Sequence, residues 1–247
     1  ETFFKHVPEK PGVAFVVVQH LSPDYKSLMG ELLGRHTDLP ISRAKDTMLV
    51  GPNNIYLIPP SKNMTIFNKR LYLTDQPKTQ HPNLPIDIFF RSLAQDLGKR
   101  AIGIVLSGTG SDGTLGIKAI KEEGGMIMAQ DETSAKFDGM PRSAIATGMV
   151  DFVMSPSQMP GSLLKYIKHP YIDKTEKPSK DLTSDESLLR ILKIVRDRIG
   201  VDFTFYKPNT ILRRLEKRLG INQIDSFEEY LDFIETSPKE AQILYKE

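Results

Sequence analysis

The sequence predicts an α/β protein: a doubly wound, mostly parallel sheet with an antiparallel hairpin insertion, followed by a small all-α helical domain. Three observations carry this expectation. Apolar runs of strand length alternate with amphipathic helical patterns over the first two thirds of the chain. Past residue 184 only helical patterns remain. Between the two lies "HPYIDKTEKPSKDLTS" (169–184), polar, proline-containing and aperiodic, which reads as a linker. The expected division is therefore 1–168, 169–184 and 185–247.

Taken in order, Glu1 to Val7 reads as the end of an amphipathic helix. "GVAFVVVQH" (12–20) is a β-branched run, expected as a strand buried on both faces. "SPDYKSLMGELLGRH" offers Ser22 as N-cap, Pro23 at the first helical position, and Leu28, Met29, Leu32 and Leu33 as one stripe. "NIYLIPP" is a strand ended by two prolines, and "MTIFNKRLYLTD" places two alternating runs around Asn68-Lys69, a hairpin signal. "LPIDIFFRSLAQDLGKR" is a helix with Ile88, Phe89, Leu93 and Leu97 on one side. "AIGIVLSGTGSDGTLGIKAI" (101–120) reads as strand, glycine-rich turn and helix. "GGMIMAQD" is a strand ending at Asp131, "MPRSAIATG" a short helix from Pro141 to Gly148, "MVDFVMSP" a strand and "SQMPGSLLKYIKH" a helix. Four helical patterns follow the linker, the second striped by Ile211, Leu212, Leu215 and Leu219.

The composition narrows the chemistry. Of 247 residues, 39% are hydrophobic and 26% charged, an ordinary globular balance. The net charge of +2 supplies no global field for nucleic acid or an anionic membrane. The absence of cysteine excludes disulfides, thiolate metal sites and a cysteine nucleophile, and suits a reducing cytoplasm. No apolar run approaches the roughly 20 residues of a membrane span, and no two histidines have metal-ligand spacing, so no metal is expected.

The turn Gly108-Thr109-Gly110-Ser111-Asp112-Gly113 admits two readings. It fits the dinucleotide fingerprint G-x-G-x-x-G, with Asp131 at about the spacing that ribose recognition needs, which would make the cofactor NAD. Against that, Asp112 competes with a pyrophosphate for the positive end of the following helix. In the second reading that helix end holds Asp112 ionised, and Asp112 orients a histidine. His20, at the end of the early strand, is the candidate, because sites in open α/β sheets collect at the carboxyl edge. Asp112→Asn is then expected to lower turnover with little effect on folding.

"VVVQHLSPDY", "LPIDIFFRSLAQDLGKRAIGIVLSGTGSDGTLGIKAIKEEGG", "AQDETSAKFDGMPRSAI" and "TGMVDFVMSP" together resemble the catalytic domain of the chemotaxis receptor methylesterase family, CheB-type. The resemblance implies hydrolysis of glutamate methyl esters on the cytoplasmic helices of chemoreceptors, with deamidation of receptor glutamines, by a Ser-His-Asp triad that needs no cofactor. Carried over residue by residue, the triad histidine is His20 and the aspartate Asp112, with Thr109, Gly110, Met140 and Pro141 near the acyl pocket. The family's serine sits in a "GAS.GG" loop after a first strand, and no serine here has that context, Ser107 and Ser111 included. The 247 residues are therefore expected to lack the nucleophile and the central strand, and to be inactive as written. In that case the chain is an interaction module without catalysis.

"GVDFTFYKPNTILRRLEKRLG" resembles the helical N-terminal region of the chemotaxis receptor methyltransferase family, with Arg214 and Arg218 matching its receptor-docking basic helix. S-adenosylmethionine is implied only for a downstream catalytic domain. The cations from Arg190 to Arg218 also fit a nucleic-acid surface or, as charge runs on helices generally do, a solvated face. With few aromatics among them, nucleic acid is not expected as a partner.

Overall fold

The computed structural model describes residues 1–20, 28–77, 83–173, 186–201 and 208–247. The described chain divides into two compact units, 1–162 and 163–247.

The first unit contains β1 (Phe15–Val17), α1 (Met29–Gly34), β2 (Ile41–Arg43), β3 (Met48–Leu49), β4 (Ile55–Leu57), β5 (Lys62–Phe67), β6 (Arg70–Asp75) and α2 (Pro85–Leu97). It continues with β7 (Ile102–Val105), α3 (Thr114–Glu122), β8 (Met126–Gln130), α4 (Gly139–Ala146) and β9 (Phe152–Met154). The parallel strands form two three-stranded sheets, ordered β1-β4-β2 and β7-β8-β9. The third sheet, β3-β6-β5, is the expected antiparallel insertion. Its β5–β6 turn places Asn68 and Lys69 at φ +48° and +58°, which matches the strand twist. Asp96, near the end of α2, accepts the amides of both turn residues at 2.5 and 3.0 Å.

The central strand β8 is wholly buried, as its run of Met, Ile and Ala requires. Strand β1, at the edge of the other parallel sheet, departs from expectation. It is three residues long and half-buried, and among the described residues only one of its edges is paired, with β4. The short strands β2 and β3 carry too few residues to show a period, and the sequence reading passed over both. The N-terminal stretch makes a single 3₁₀ turn, Phe4–His6, where Phe3, Phe4 and Phe15 pack edge to face. The helix pair α2 and α3 approaches closely at Gly116, where an added Cβ would lie 2.4 Å from the Cβ of Phe90.

Helix α5 (Met159–Ile167) leads into the second unit, which holds α6 (Pro170–Asp173), α7 (Glu186–Ile199), α8 (Pro208–Asn222), α9 (Phe227–Thr236) and α10 (Pro238–Lys246). Leu188, Ile191, Val195, Leu215, Leu219, Tyr230 and Ile234 form its core. The start of the expected linker is folded. His169 is buried, its Nε2–H donates to the Ile224 carbonyl at 3.0 Å, and α6 follows directly. The rest of that stretch, 174–184, lies outside the described residues, as do Ser22, Pro23 and His81.

Candidate active site

Strands β1 and β7 deliver the two groups that the sequence singles out. His20 lies three residues beyond β1 and Asp112 seven beyond β7, both at carboxyl ends of parallel strands. They meet although 92 positions separate them: His20 Nε2 lies 3.0 Å from Asp112 Oδ2. The imidazole is half exposed, at 54%, whereas the Asp112 side chain is 4% exposed. A carboxylate only accepts, so Nε2 carries the proton and Nδ1 the lone pair of the neutral ring.

The support of Asp112 differs from expectation. Its holder is α2, not its own helix α3. Asp112 Oδ2 accepts the Ile86 amide and Oδ1 the Asp87 amide, each at 2.9 Å. These are the second and third residues of α2, whose flanking Leu84 has no capping side chain. The start of α3 is likewise uncapped locally, since its N-cap is Gly113. Asp87 Oδ1 fills that role, accepting the Gly116 amide at 2.7 Å. The two helices thus exchange caps, each carboxylate satisfying orphan amides of the other helix. Burial, and after it the neighbouring Asp112 charge, push the Asp87 carboxyl above its ordinary range, against the pull of the Gly116 amide and Arg91.

The same geometry weighs against the dinucleotide reading. A pyrophosphate at α3 would face two carboxylates. Asp131, the ribose candidate, is occupied: Ser134 donates to it from its amide at 2.9 Å and its hydroxyl at 2.7 Å, and Thr133 from its hydroxyl. These bonds hold its carboxyl below the usual range. The glycines answer to packing instead. A Cβ on Gly108 would lie 2.4 Å from Met140 Sδ, and Gly113 has φ +100°.

A cleft of about 500 Å³ runs from the His20 ring between β1 and β7, walled by Phe15–His20 on one side and Ile104–Thr109 on the other. Thr109 and Met140, two of the residues that the resemblance puts near an acyl pocket, line it. Gly110 and Pro141 do not: the Gly110 carbonyl accepts the Ser143 hydroxyl at 3.3 Å, and Pro141 is buried in α4. The amides of Ser107 and Gly108 are engaged by Gln130 Oε1 and the Phe137 carbonyl, both at 2.9 Å, so they do not serve as oxyanion donors. Gln130, buried at the end of β8, escaped the sequence reading, as did Asp87. The available signal was the missing local cap at each helix start. Of the remaining histidines, His6 bonds the Thr2 carbonyl and His36 lies 3.6 Å from Glu1, both remote from Asp112 in role.

Residues 1–163 match the family described as CheB methylesterase. The chain belongs to the CheB methylesterase family. Residues 186–247 match the all-alpha domain of CheR methyltransferase. An uncharacterized 104.1 kDa protein of Rhodobacter capsulatus is 37% identical over 241 residues, which cover 89% of this chain and 25% of that protein. A protein-glutamate methylesterase/protein-glutamine glutaminase of Photorhabdus laumondii is 32% identical over 158 residues, 62% of this chain and 45% of the relative. The chain therefore spans under half the length of both. The crystal structure of the Thermotoga maritima CheB methylesterase catalytic domain superposes with a TM-score of 0.60 at 26% identity, covering 66% of this chain and 88% of that one.

In the second unit, Arg218, matched by resemblance to the docking helix, points inward. It is 5% exposed and clamps Glu240 through Nε and Nη2, both at 2.8 Å. Arg214, on the same helix, is half-buried. No helix among the described residues is long and apolar enough to cross a membrane.

Proposed function

We propose that the CheB-type unit hydrolyses glutamate methyl esters, and deamidates glutamines, on the cytoplasmic helices of chemoreceptors, with His20 as general base and Asp112 as its orienting acid. The 3.0 Å contact between them carries the reading. With Nε2–H donated to Asp112, Nδ1 takes the proton of a serine hydroxyl as that oxygen attacks the ester carbonyl. The imidazolium then returns the proton to departing methanol, and water repeats the cycle on the acyl-enzyme. The names of the curated relatives agree with both activities.

The nucleophile is the part these residues do not supply. No serine of the sequence lies in a GAS.GG context. The cleft between the free edges of β1 and β7 has the position and apolar walls for one further strand. We place the serine on such a segment, outside the 247 residues, and read the chain by itself as inactive. Of the two basic residues assigned to receptor docking, Arg214 keeps that role, since Arg218 is committed inside the helical unit.

The test is methanol release from methylated receptor helices, with the 247 residues alone and preceded by a strand ending in Gly-Ala-Ser-x-Gly-Gly. Release is expected only with the added segment, and His20→Gln should remove it about 10³-fold or more. Release by the unextended chain would place the nucleophile inside it. No release from either form would leave the unit a non-catalytic receptor-interaction module.

A further inference from the structure

Behind His20 and Asp112 stands a second buried carboxylate that the hydrolase reading does not use. Asp87 is 5% exposed, yet it touches Asp112 through its own amide and anchors α3 through its side chain. A serine, threonine or asparagine at this position would cap Gly116 without setting a second negative charge beside Asp112. The protein carries the costlier residue.

We propose that Asp87 is a positioning residue for the His20–Asp112 pair. Its amide fixes one oxygen of Asp112 and its carboxylate ties down the start of α3, so Asp112 stays aimed at the imidazole with a second anion behind it. The proposal rests on the hydrolase reading for its functional meaning, and it goes beyond the triad itself.

The surrounding charges define what that anion does. From α2, Arg91 faces Asp87, from the turn before α3 come Asp112 and the amide of Gly113, and from the first turn of α3 the amide of Gly116. His20 faces the pair from the end of β1, and Glu1 lines the same cleft. Arg91 is the standing cation of the group. The imidazolium formed when the serine gives up its proton therefore faces Asp112 with a second carboxylate behind it.

Carboxyl ¹³C NMR titration of the 247-residue chain tests the coupling without any catalysis. The Asp87 midpoint is expected to fall by about half a pH unit or more in Asp112→Asn, because the neighbouring charge is gone. An Asp87 midpoint unmoved in a folded Asp112→Asn variant would reduce Asp87 to a helix cap and overturn the proposal. Should that variant not fold, Asp87→Asn decides instead, since asparagine keeps an acceptor for the Gly116 amide. Amide exchange at Gly116 should stay slow in Asp87→Asn and quicken in Asp87→Ala. In the serine-bearing form, Asp87→Asn should move the acid limb of the pH–rate profile to lower pH and lower kcat several-fold at unchanged KM. A profile identical to the parent's would overturn the proposal. Absence of esterase activity in every form would remove the hydrolase reading, while the carboxyl titration would still decide whether Asp87 and Asp112 are coupled.

Discussion

Asp112 in the α/β unit and Glu240 in the helical unit are both carboxylates buried to about the same degree, at 5% and 3% exposure, and they are used in opposite ways. Glu240 is closed on all sides. Arg218 grips it with two parallel bonds, Tyr230 donates its hydroxyl at 2.7 Å and Asn222 its amide at 3.3 Å. Arg218 cannot lose its proton, and burial followed by the Glu240 charge pushes the Tyr230 phenol well above its usual range. Asp112 is held by two backbone amides and one imidazole, and that imidazole is half exposed on a cleft. Burial of a carboxylate therefore does not mark a site. A partner that can take and release a proton within reach of solvent does.

The largest expected effect breaks the reactive side of this comparison. In a serine-bearing form, Asp112→Asn should lower esterase kcat by about 10⁴-fold, the scale known for this substitution in Ser-His-Asp hydrolases. The structure revises the accompanying expectation that folding is spared. Asp112 accepts three N–H donors, and an asparagine amide group must turn one NH₂ toward at least one of them. A stability loss of about 1–3 kcal/mol is expected. Denaturant melts beside turnover would separate the two losses, and unchanged turnover would remove Asp112 from the triad.

That revision shows what the sequence could and could not tell. Long periodic elements such as α2 and the run of β8 were legible, because each repeats its pattern over several turns or fills both faces of a strand. The pairing of His20 with Asp112 was legible because both follow strands of one parallel layer type. The exchanged caps were not. A non-local cap leaves only an absence in the sequence, a helix start at Pro85 without Ser, Thr, Asp or Asn before it. The reading of Arg218 failed for a related reason. Its helix shows cations on more than one face, and only the position of Glu240 on α10, 22 residues away, reveals that Arg218 is among the buried ones.

The second prediction breaks the structural side. Arg218→Ala leaves Glu240 charged and buried, so the helical unit should lose about 3–5 kcal/mol. Replacing both partners, Arg218→Met with Glu240→Leu, should cost less than the single change, because no charge is stranded. Tyr230 then has a phenol without its acceptor, and adding Tyr230→Phe should recover a further part of the loss. Thermal unfolding of the single, double and triple variants gives the order. A double variant less stable than Arg218→Ala would mean that the ion pair itself, not the stranded charge, dominates.

The smallest effect sharpens the comparison where it is closest, at the two neighbouring carboxylates. Asp87 has its carboxyl raised above the ordinary value of 3.8 in the folded chain, chiefly by burial. The unfolded chain then releases that proton at lower pH than the folded chain does. Folding stability is consequently lost as pH rises from 3.8 through the folded-state value, and the loss is complete above it. Asparagine keeps the bond to the Gly116 amide and carries no such penalty. Asp87→Asn should therefore be slightly more stable than the parent at pH 7, by under about 1 kcal/mol, since the charged carboxylate's stronger bond offsets part of its burial. The gain should vanish as the pH falls to about 3, where both chains carry a neutral side chain. Urea melts at the two pH values measure it. A gain at neutral pH together with slower hydrolysis means that this carboxylate is retained for its part behind the His20–Asp112 pair. A loss at neutral pH would mean that its hold on α3 outweighs its burial, and that Asp87 belongs with Glu240 among the structural carboxylates.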